Sequence, residues 1–155
     1  MILLITTYQD FVSRSIHVAL PVIVFIIALV LNYLSLNLTI YDTLYNVLFI
    51  TINIISLVLY FSIKSKQLTN PIDNAIGIGD IVLFFAITPL FKTTSFILFF
   101  IISLLLTLII HNVINLFKDV KTIPLAGYLA GFLAGFLAIN IIIKNVFKIN
   151  ILFNG

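Results

Sequence analysis

The sequence predicts an all-α fold: a polytopic transmembrane helix bundle of about five full spans, with a short apolar segment before them. Hydrophobic residues make up 63% of the 155 positions and charged residues only 8%, whereas a soluble domain carries about 25% charged residues. The apolar residues form long continuous runs rather than an alternating pattern, which favours helices over strands as the membrane-spanning elements. The length suits a single integral-membrane domain over residues 1–155.

Polar residues divide the chain into successive apolar segments. The first, residues 1–9, would cover roughly half of a hydrocarbon core as a helix, so we expect a half-span or an interfacial segment. Pro21 falls in the first turn of the next segment, where a missing N–H is tolerated. The predicted full spans are 18–34, 44–63, 75–91, 95–117 and 123–143.

The basic residues are scattered and therefore report membrane topology rather than a nucleic-acid surface. If every predicted span crosses once, the side that holds Arg14 carries five basic residues, and the opposite side carries three. The positive-inside bias makes the Arg14 side cytoplasmic. The five are Arg14, Lys64, Lys66, Lys118 and Lys121.

The composition argues against a metal or disulfide chemistry. The chain has no cysteine and only two histidines, so it offers no thiolate ligand, no disulfide and no repeated histidine–carboxylate pattern. We expect no metal site and no cofactor.

The residues Gly77-Ile78-Gly79-Asp80 place a carboxylate near the start of an otherwise uncharged run. A carboxylate in a bilayer costs at least a few kcal/mol, so such acids are rare and usually functional. Gly77 and Gly79 would let another backbone approach closely. The alternatives are that Asp80 caps its helix or packs among neighbours, and that the glycines only allow helix packing.

Asp10 is the predicted partner of Asp80. The topology places Asp10 at the cytoplasmic start of the first full span and Asp80 one turn into the third, so both lie at the same depth. Two such carboxyl groups can share a proton, one acting as acid and one as base. That pair can activate a water against a peptide carbonyl. The alternative is an interfacial Asp10 paired with Arg14, four residues later.

Three stretches of the sequence resemble a known family. They are DFVSRSI at 10–16, GIGD at 77–80 and IPLAG at 123–127. In this order they resemble the motifs of the type IV prepilin peptidases and the archaeal preflagellin peptidases, which are GxGD aspartic membrane proteases.

The resemblance implies an endopeptidase that cleaves the leader peptide of prepilin-like membrane proteins at the cytoplasmic face of a bacterial or archaeal cytoplasmic membrane. Asp10 and Asp80 would be catalytic, and Gly77, Gly79 and Pro124 would bind substrate or shape the site. Prepilin-like substrates and the lipid bilayer would be the partners, with no nucleic acid involved.

The sequence departs from the family pattern in several places. Nine residues precede Asp10 where relatives usually have a full span, His17 stands where proline is common, and Val82 stands where many relatives have lysine. The cysteine-rich domain of the longer, N-methylating relatives has no counterpart, so we expect peptidase activity alone.

The sequence is also compatible with two other functions. The chain could be a catalytically inactive homologue that serves as a membrane assembly subunit, or a proton-coupled transport component, and the sequence leaves open whether it forms a homo-oligomer. His111 and Asn112 are expected to form hydrogen bonds within the bundle. The repeated GxxxG of Gly127, Gly131 and Gly135 predicts close helix packing, with the helix that bears Asp80 as the expected neighbour.

Overall fold

The computed structural model describes residues 1–13, 16–36, 39–66, 77–116 and 124–147. These residues form helices and turns without a strand, which confirms the all-α prediction. A π-helical turn, Asn32–Leu36, follows the second helix, and a 3-10 turn, Thr88–Leu90, follows the fourth. The helices are α1 (Ile2–Ser13), α2 (Ala19–Leu31), α3 (Ile40–Ser65), α4 (Ile78–Ile87), α5 (Thr93–Asn115) and α6 (Leu125–Phe147).

The chain divides into two compact units. The first combines Met1–Ile16 with Thr94–Gly155, and the second is His17–Thr93. The first unit therefore contains α1, α6 and nearly all of α5, while the second contains α2, α3 and α4. The single domain expected over residues 1–155 stays a prediction.

In the first unit, α1 packs against α6. The two helices run antiparallel, since Asp10 lies against Gly127 whereas the earlier Thr7 lies against the later Gly131. The α6 side of the core is formed by small and aliphatic residues. The α5 helix contacts α6 through Phe99 and Phe136, whose ring centroids are 6.4 Å apart. Buried apolar residues of α6 are Ala126, Leu129, Ala130 and Leu133.

In the second unit, α2 packs against α4. The buried residues of α2 are Pro21, Val24 and Ala28, whose spacing of three and four places them on one helical face. Pro21 lies in the first turn, as predicted. The α4 helix supplies the opposing apolar surface with Leu83 and Ile87, both fully buried.

A buried amide fixes α3 to the junction after α4. The side chain of Asn46 donates to the carbonyl oxygens of Thr88 at 3.0 Å and Phe91 at 2.9 Å. Pro89 lies in the 3-10 turn between them, where α4 has ended. Because this turn interrupts the helical ladder, an external donor is needed to satisfy its buried carbonyl groups.

Asp42 stabilises the first turn of α3. Its Oδ2 accepts from the Thr39 hydroxyl at 2.6 Å and from the Thr39 N–H at 3.2 Å, which completes a capping box. Its Oδ1 accepts from the N–H and the hydroxyl of Thr93, each at 3.4 Å. One carboxylate thus contacts the first residue of α5 as well as the start of α3.

Within the described residues, α3 and α5 are long and apolar enough to cross a membrane. They match the predicted spans 44–63 and 95–117 closely. The described apolar stretches Ala19–Leu34, Ile78–Leu90 and Leu125–Ile141 are shorter, so five full spans are not shown. The α4 helix is short because the 3-10 turn begins at Thr88.

The first helix differs from the prediction. It extends past residue 9 to Ser13, so Asp10 belongs to α1 and does not stand at the start of the first full span. The hydroxyl of Ser13 donates to the Gln9 carbonyl at 2.7 Å, which satisfies it within the helix. Helix α1 has 12 residues, which correspond to a length of about 18 Å. This length agrees with the prediction of a short first segment.

Candidate active site

Asp10 is a buried acid that contacts the beginning of another helix. Its side chain is 6% exposed, and its Oδ2 accepts a hydrogen bond from the Gly127 N–H at 2.6 Å. Gly127 is the third residue of α6, and N–H groups in a first helical turn have no acceptor within the helix. The positive end of the helix dipole also favours a carboxylate there. Asp10 therefore caps α6 from a distant part of the chain.

The absence of a side chain at Gly127 makes this contact possible. A Cβ at this position would lie 3.0 Å from Asp10 Oδ2, 3.2 Å from Asp10 Cβ and 3.1 Å from Phe11 Cδ2. Each distance is shorter than an ordinary carbon contact of about 3.5 Å. The close approach of α1 therefore favours glycine at this position, since no unusual backbone angle calls for it.

Pro124 lies immediately before α6 and is buried. Its carbonyl accepts the Tyr128 N–H at 3.1 Å, which closes the first turn. Proline suits a helix start because its φ is fixed near the helical value and no amide donor is lost. Pro124 therefore helps to set where α6 begins and where the Gly127 N–H lies. Its predicted role in substrate binding stays a prediction.

Aromatic rings adjoin Asp10 along α1 and α6. Phe11 meets Tyr128 edge to face, with ring centroids 4.9 Å apart, and Tyr128 stacks with Phe132 at 6.3 Å. Such ring pairs add to the energy of burial. The Phe11–Tyr128 pair joins the last turn of α1 to the first turn of α6, whereas the Tyr128–Phe132 pair lies within α6.

Asp80 lies at the start of its own helix. Its Oδ2 accepts from the Gly77 N–H at 3.2 Å, and the Gly77 carbonyl accepts from the N–H groups of Asp80 and Ile81 at 3.1 and 3.3 Å. Asp80 is half-buried and is the third residue of α4. The helix-cap alternative therefore describes the hydrogen bond between Gly77 and Asp80.

The glycines of the motif differ in what surrounds them. A Cβ on Gly77 would lie 3.2 Å from Asp80 Oδ2, so the glycine leaves room for the carboxylate that caps the helix. Gly79 is the second residue of α4 and is half-buried. Their predicted contribution to substrate binding stays a prediction.

The structure brings together two sets of the predicted site residues. Asp10 lies against α6 directly after Pro124, in the first unit, and Asp80 lies beside Gly77 in the second. The two carboxylates belong to different units, and their pairing stays a prediction. Arg14, the alternative partner of Asp10, lies outside the described residues, as do Lys118 and Lys121.

Gly127 is the site residue that the sequence analysis assigned to packing alone. Gly127 and Gly131 of the GxxxG stretch lie against α1, which bears Asp10. The expected packing against the helix that bears Asp80 stays a prediction. Gly131 faces Thr7, whose atoms would lie 3.7 Å from an added Cβ, and Gly135 faces open space. The sequence held one signal for the role of Gly127. This residue lies in the first helical turn after Pro124, where a backbone N–H needs an acceptor from outside the helix.

The hydrogen bonding expected at His111 is local. The amide of Asn115 donates to Nε2 of His111 at 3.0 Å, one helical turn apart on the exposed surface of α5. Among the described residues, no three His, Cys, Asp or Glu side chains gather into a group that could hold a metal ion.

Comparison with known proteins adds no family to these observations: no protein-family model, curated protein or solved structure matches the chain.

Proposed function

We propose that this protein is a polytopic membrane aspartic endopeptidase that removes the leader peptide from prepilin-like or preflagellin-like substrates. The observation that carries the proposal is the setting of Asp10. A carboxylate buried between two apolar helices, with Oδ2 2.6 Å from the Gly127 N–H, is costly unless the group is used or well satisfied. The resemblance to the prepilin peptidases gives that carboxylate a reaction.

The proposal places the chain in a membrane with five spans. Its support is that the apolar window of α3 and that of α5 are each only 11% buried within the protein. The core helix of a soluble protein would bury most of such a window. The α6 helix has 23 residues, about 35 Å at 1.5 Å per residue, and so has the length of a span. The active site would lie near the cytoplasmic face of a bacterial or archaeal cytoplasmic membrane.

The proposed reaction uses Asp10 and Asp80 as a pair of acid and base. One carboxylate removes a proton from water while the water oxygen bonds to the carbonyl carbon of the scissile peptide. The tetrahedral intermediate then collapses, the C–N bond breaks, and the departing amine takes a proton from the other carboxyl group. The products are a free carboxylate and a free amine, and the step consumes neither metal nor organic cofactor.

The direct test is co-expression with a prepilin-like substrate that carries its leader. We expect the wild type to shorten the substrate and both Asp10→Asn and Asp80→Asn to leave it intact, as judged by electrophoretic mobility and by the mass of the new N-terminus. Asparagine retains an oxygen that can accept from Gly127 or Gly77, so each helix start keeps a hydrogen bond.

Asp42→Asn is the matched control. Asp42 also accepts hydrogen bonds at a helix start but takes no part in the proposed reaction, so this variant should still process the substrate. Normal processing by either Asp10→Asn or Asp80→Asn would overturn the proposal.

The inactive assembly subunit remains a second candidate, because the contact between Asp80 and Gly77 is a helix cap. An assembly subunit would leave the substrate intact in the wild type and would co-purify with a pilus-like assembly. The same co-expression therefore separates the two functions, because only a peptidase would shorten the substrate when the wild type is expressed.

A further inference from the structure

The two candidate catalytic acids are met by glycines in the same way. The Gly77 N–H donates to Asp80 Oδ2 at 3.2 Å, and the Gly127 N–H donates to Asp10 Oδ2 at 2.6 Å. In both pairs an added Cβ would press on that same oxygen, at 3.2 Å and 3.0 Å respectively. Gly77 belongs to the GIGD motif, and Gly127 ends the IPLAG stretch, but the role expected for Gly127 was helix packing.

We infer that Gly127 is a positioning residue of the proposed peptidase, which holds the Asp10 carboxylate through its N–H and through its lack of a side chain. The inference rests on the proposed function and deepens it. The contact joins residues 117 positions apart, so it depends on the docking of α1 against α6 rather than on local helix geometry.

Two independent features of Gly127 support this role. The first is the donor, which lies in the first turn of α6 and has no acceptor in its own helix. The second is steric, since an added methyl carbon would lie only 3.0 Å from the same Asp10 oxygen that accepts the hydrogen bond. A Cβ at 3.0 Å obliges its neighbour to shift by a few tenths of an ångström. Because a reacting group displaced by about 1 Å can lose about 100-fold in rate, even this smaller shift of the carboxylate should lower the rate.

The same helix provides its own controls. Gly131 and Gly135 follow Gly127 at intervals of four residues, and all three belong to α6. An added Cβ would make only an ordinary 3.7 Å contact with Thr7 at Gly131 and would meet nothing within 4 Å at Gly135. The three alanine variants thus add the same methyl group and differ mainly in whether it displaces Asp10.

The experiment compares the full-length wild type with Gly127→Ala, Gly131→Ala and Gly135→Ala in proteoliposomes, with a synthetic prepilin-like peptide as substrate. We expect Gly127→Ala to lower kcat at least tenfold with KM within twofold of the wild type, because the substrate contacts remain while the reacting group moves. Gly131→Ala and Gly135→Ala should keep both constants within twofold. A purely structural role would lower the amount of folded enzyme without changing kcat per folded molecule.

A second variant covers the case in which Gly127→Ala does not fold. Phe11→Ala removes the ring carbon that would lie 3.1 Å from the new methyl group and leaves the contact with Asp10 in place. The double variant Phe11→Ala/Gly127→Ala should fold and should show a kcat at least tenfold below that of Phe11→Ala alone.

The outcomes separate the two claims. A wild type that does not cleave the peptide overturns the proposed function and the inference with it. A cleaving wild type with a normal kcat in Gly127→Ala, or in the double variant relative to Phe11→Ala, overturns the positioning role alone.

Discussion

Asp10 and Asp80 both place a carboxylate at the start of a helix, but they do so over very different distances along the chain. Asp80 accepts from Gly77, three residues earlier, and caps α4, the helix to which it belongs. Asp10 belongs to α1 and accepts from Gly127 at the start of α6. The first contact is formed within one turn, whereas the second requires two helices to dock.

This difference separates what each acid stabilises. The Asp80 contact can form as soon as α4 forms, so its loss weakens one helix end. The Asp10 contact lies among the apolar and aromatic residues that join α1 to α6, so its loss affects the packing of the first unit. Substitutions at the two sites should therefore change the free energy of unfolding by different amounts, even where the chemical change is the same.

Asp10→Ala should give the largest loss of stability. It leaves the buried Gly127 N–H without its carboxylate acceptor, and losing a hydrogen bond to a charged group costs about 1.5–3 kcal/mol. The midpoint of unfolding in mixed detergent micelles measures the effect. Asp10→Asn is the control, since its amide oxygen can still accept, and a loss of similar size in both variants would contradict the assignment.

Gly127→Ala should give the next largest loss of stability, about 1–2 kcal/mol in the free energy of unfolding. Forcing a methyl group into a packed contact typically costs about 1–3 kcal/mol, and alanine regains up to about 1 kcal/mol of helix propensity. The same unfolding measurement applies, and unchanged stability would mean that α1 moves away from α6 without cost.

Asp80→Ala should cost less, about 1 kcal/mol. The substitution removes a capping interaction at a partly exposed helix start, and such contacts contribute about 0.5–2 kcal/mol. Comparison with Asp10→Ala in the same unfolding assay tests the contrast between the two sites. An Asp80→Ala loss equal to or above that of Asp10→Ala would show that Asp80 does more than begin α4.

Gly135→Ala should have the smallest effect and the opposite sign. With nothing within 4 Å of the new methyl group, the gain in helix propensity should raise stability by about 0.5–1 kcal/mol. A destabilised Gly135→Ala would mean that another helix packs against this face of α6.

Long, evenly apolar helices were predictable because their composition is sufficient to define them. The predicted spans 44–63 and 95–117 correspond to α3 (Ile40–Ser65) and α5 (Thr93–Asn115) within a few residues. Less regular stretches were harder to predict. The expected span 75–91 is described from residue 77 and gives way to a 3-10 turn at Thr88, where the Asn46 amide satisfies the carbonyl groups.

The candidate site was predictable in its residues but not in all of its contacts. The motif GIGD was singled out as important, and the cap between Gly77 and Asp80 was anticipated as an alternative. The setting of Asp10 was not, because polar residues from Gln9 onward suggested that the first helix had ended. Helix α1 continues to Ser13, and its polar face is satisfied by α6 and by its own backbone.

The sequence by itself determined that the chain is helical, which helices are long and apolar, and where a carboxylate and a glycine share one helical turn. These features depend on neighbours a few positions apart. Only the tertiary structure decided that Asp10 lies against Gly127 and that Gly127 and Gly131 of α6 face α1. Burial of apolar surface is non-directional, so a periodic apolar face indicates that a helix packs but not which helix it packs against.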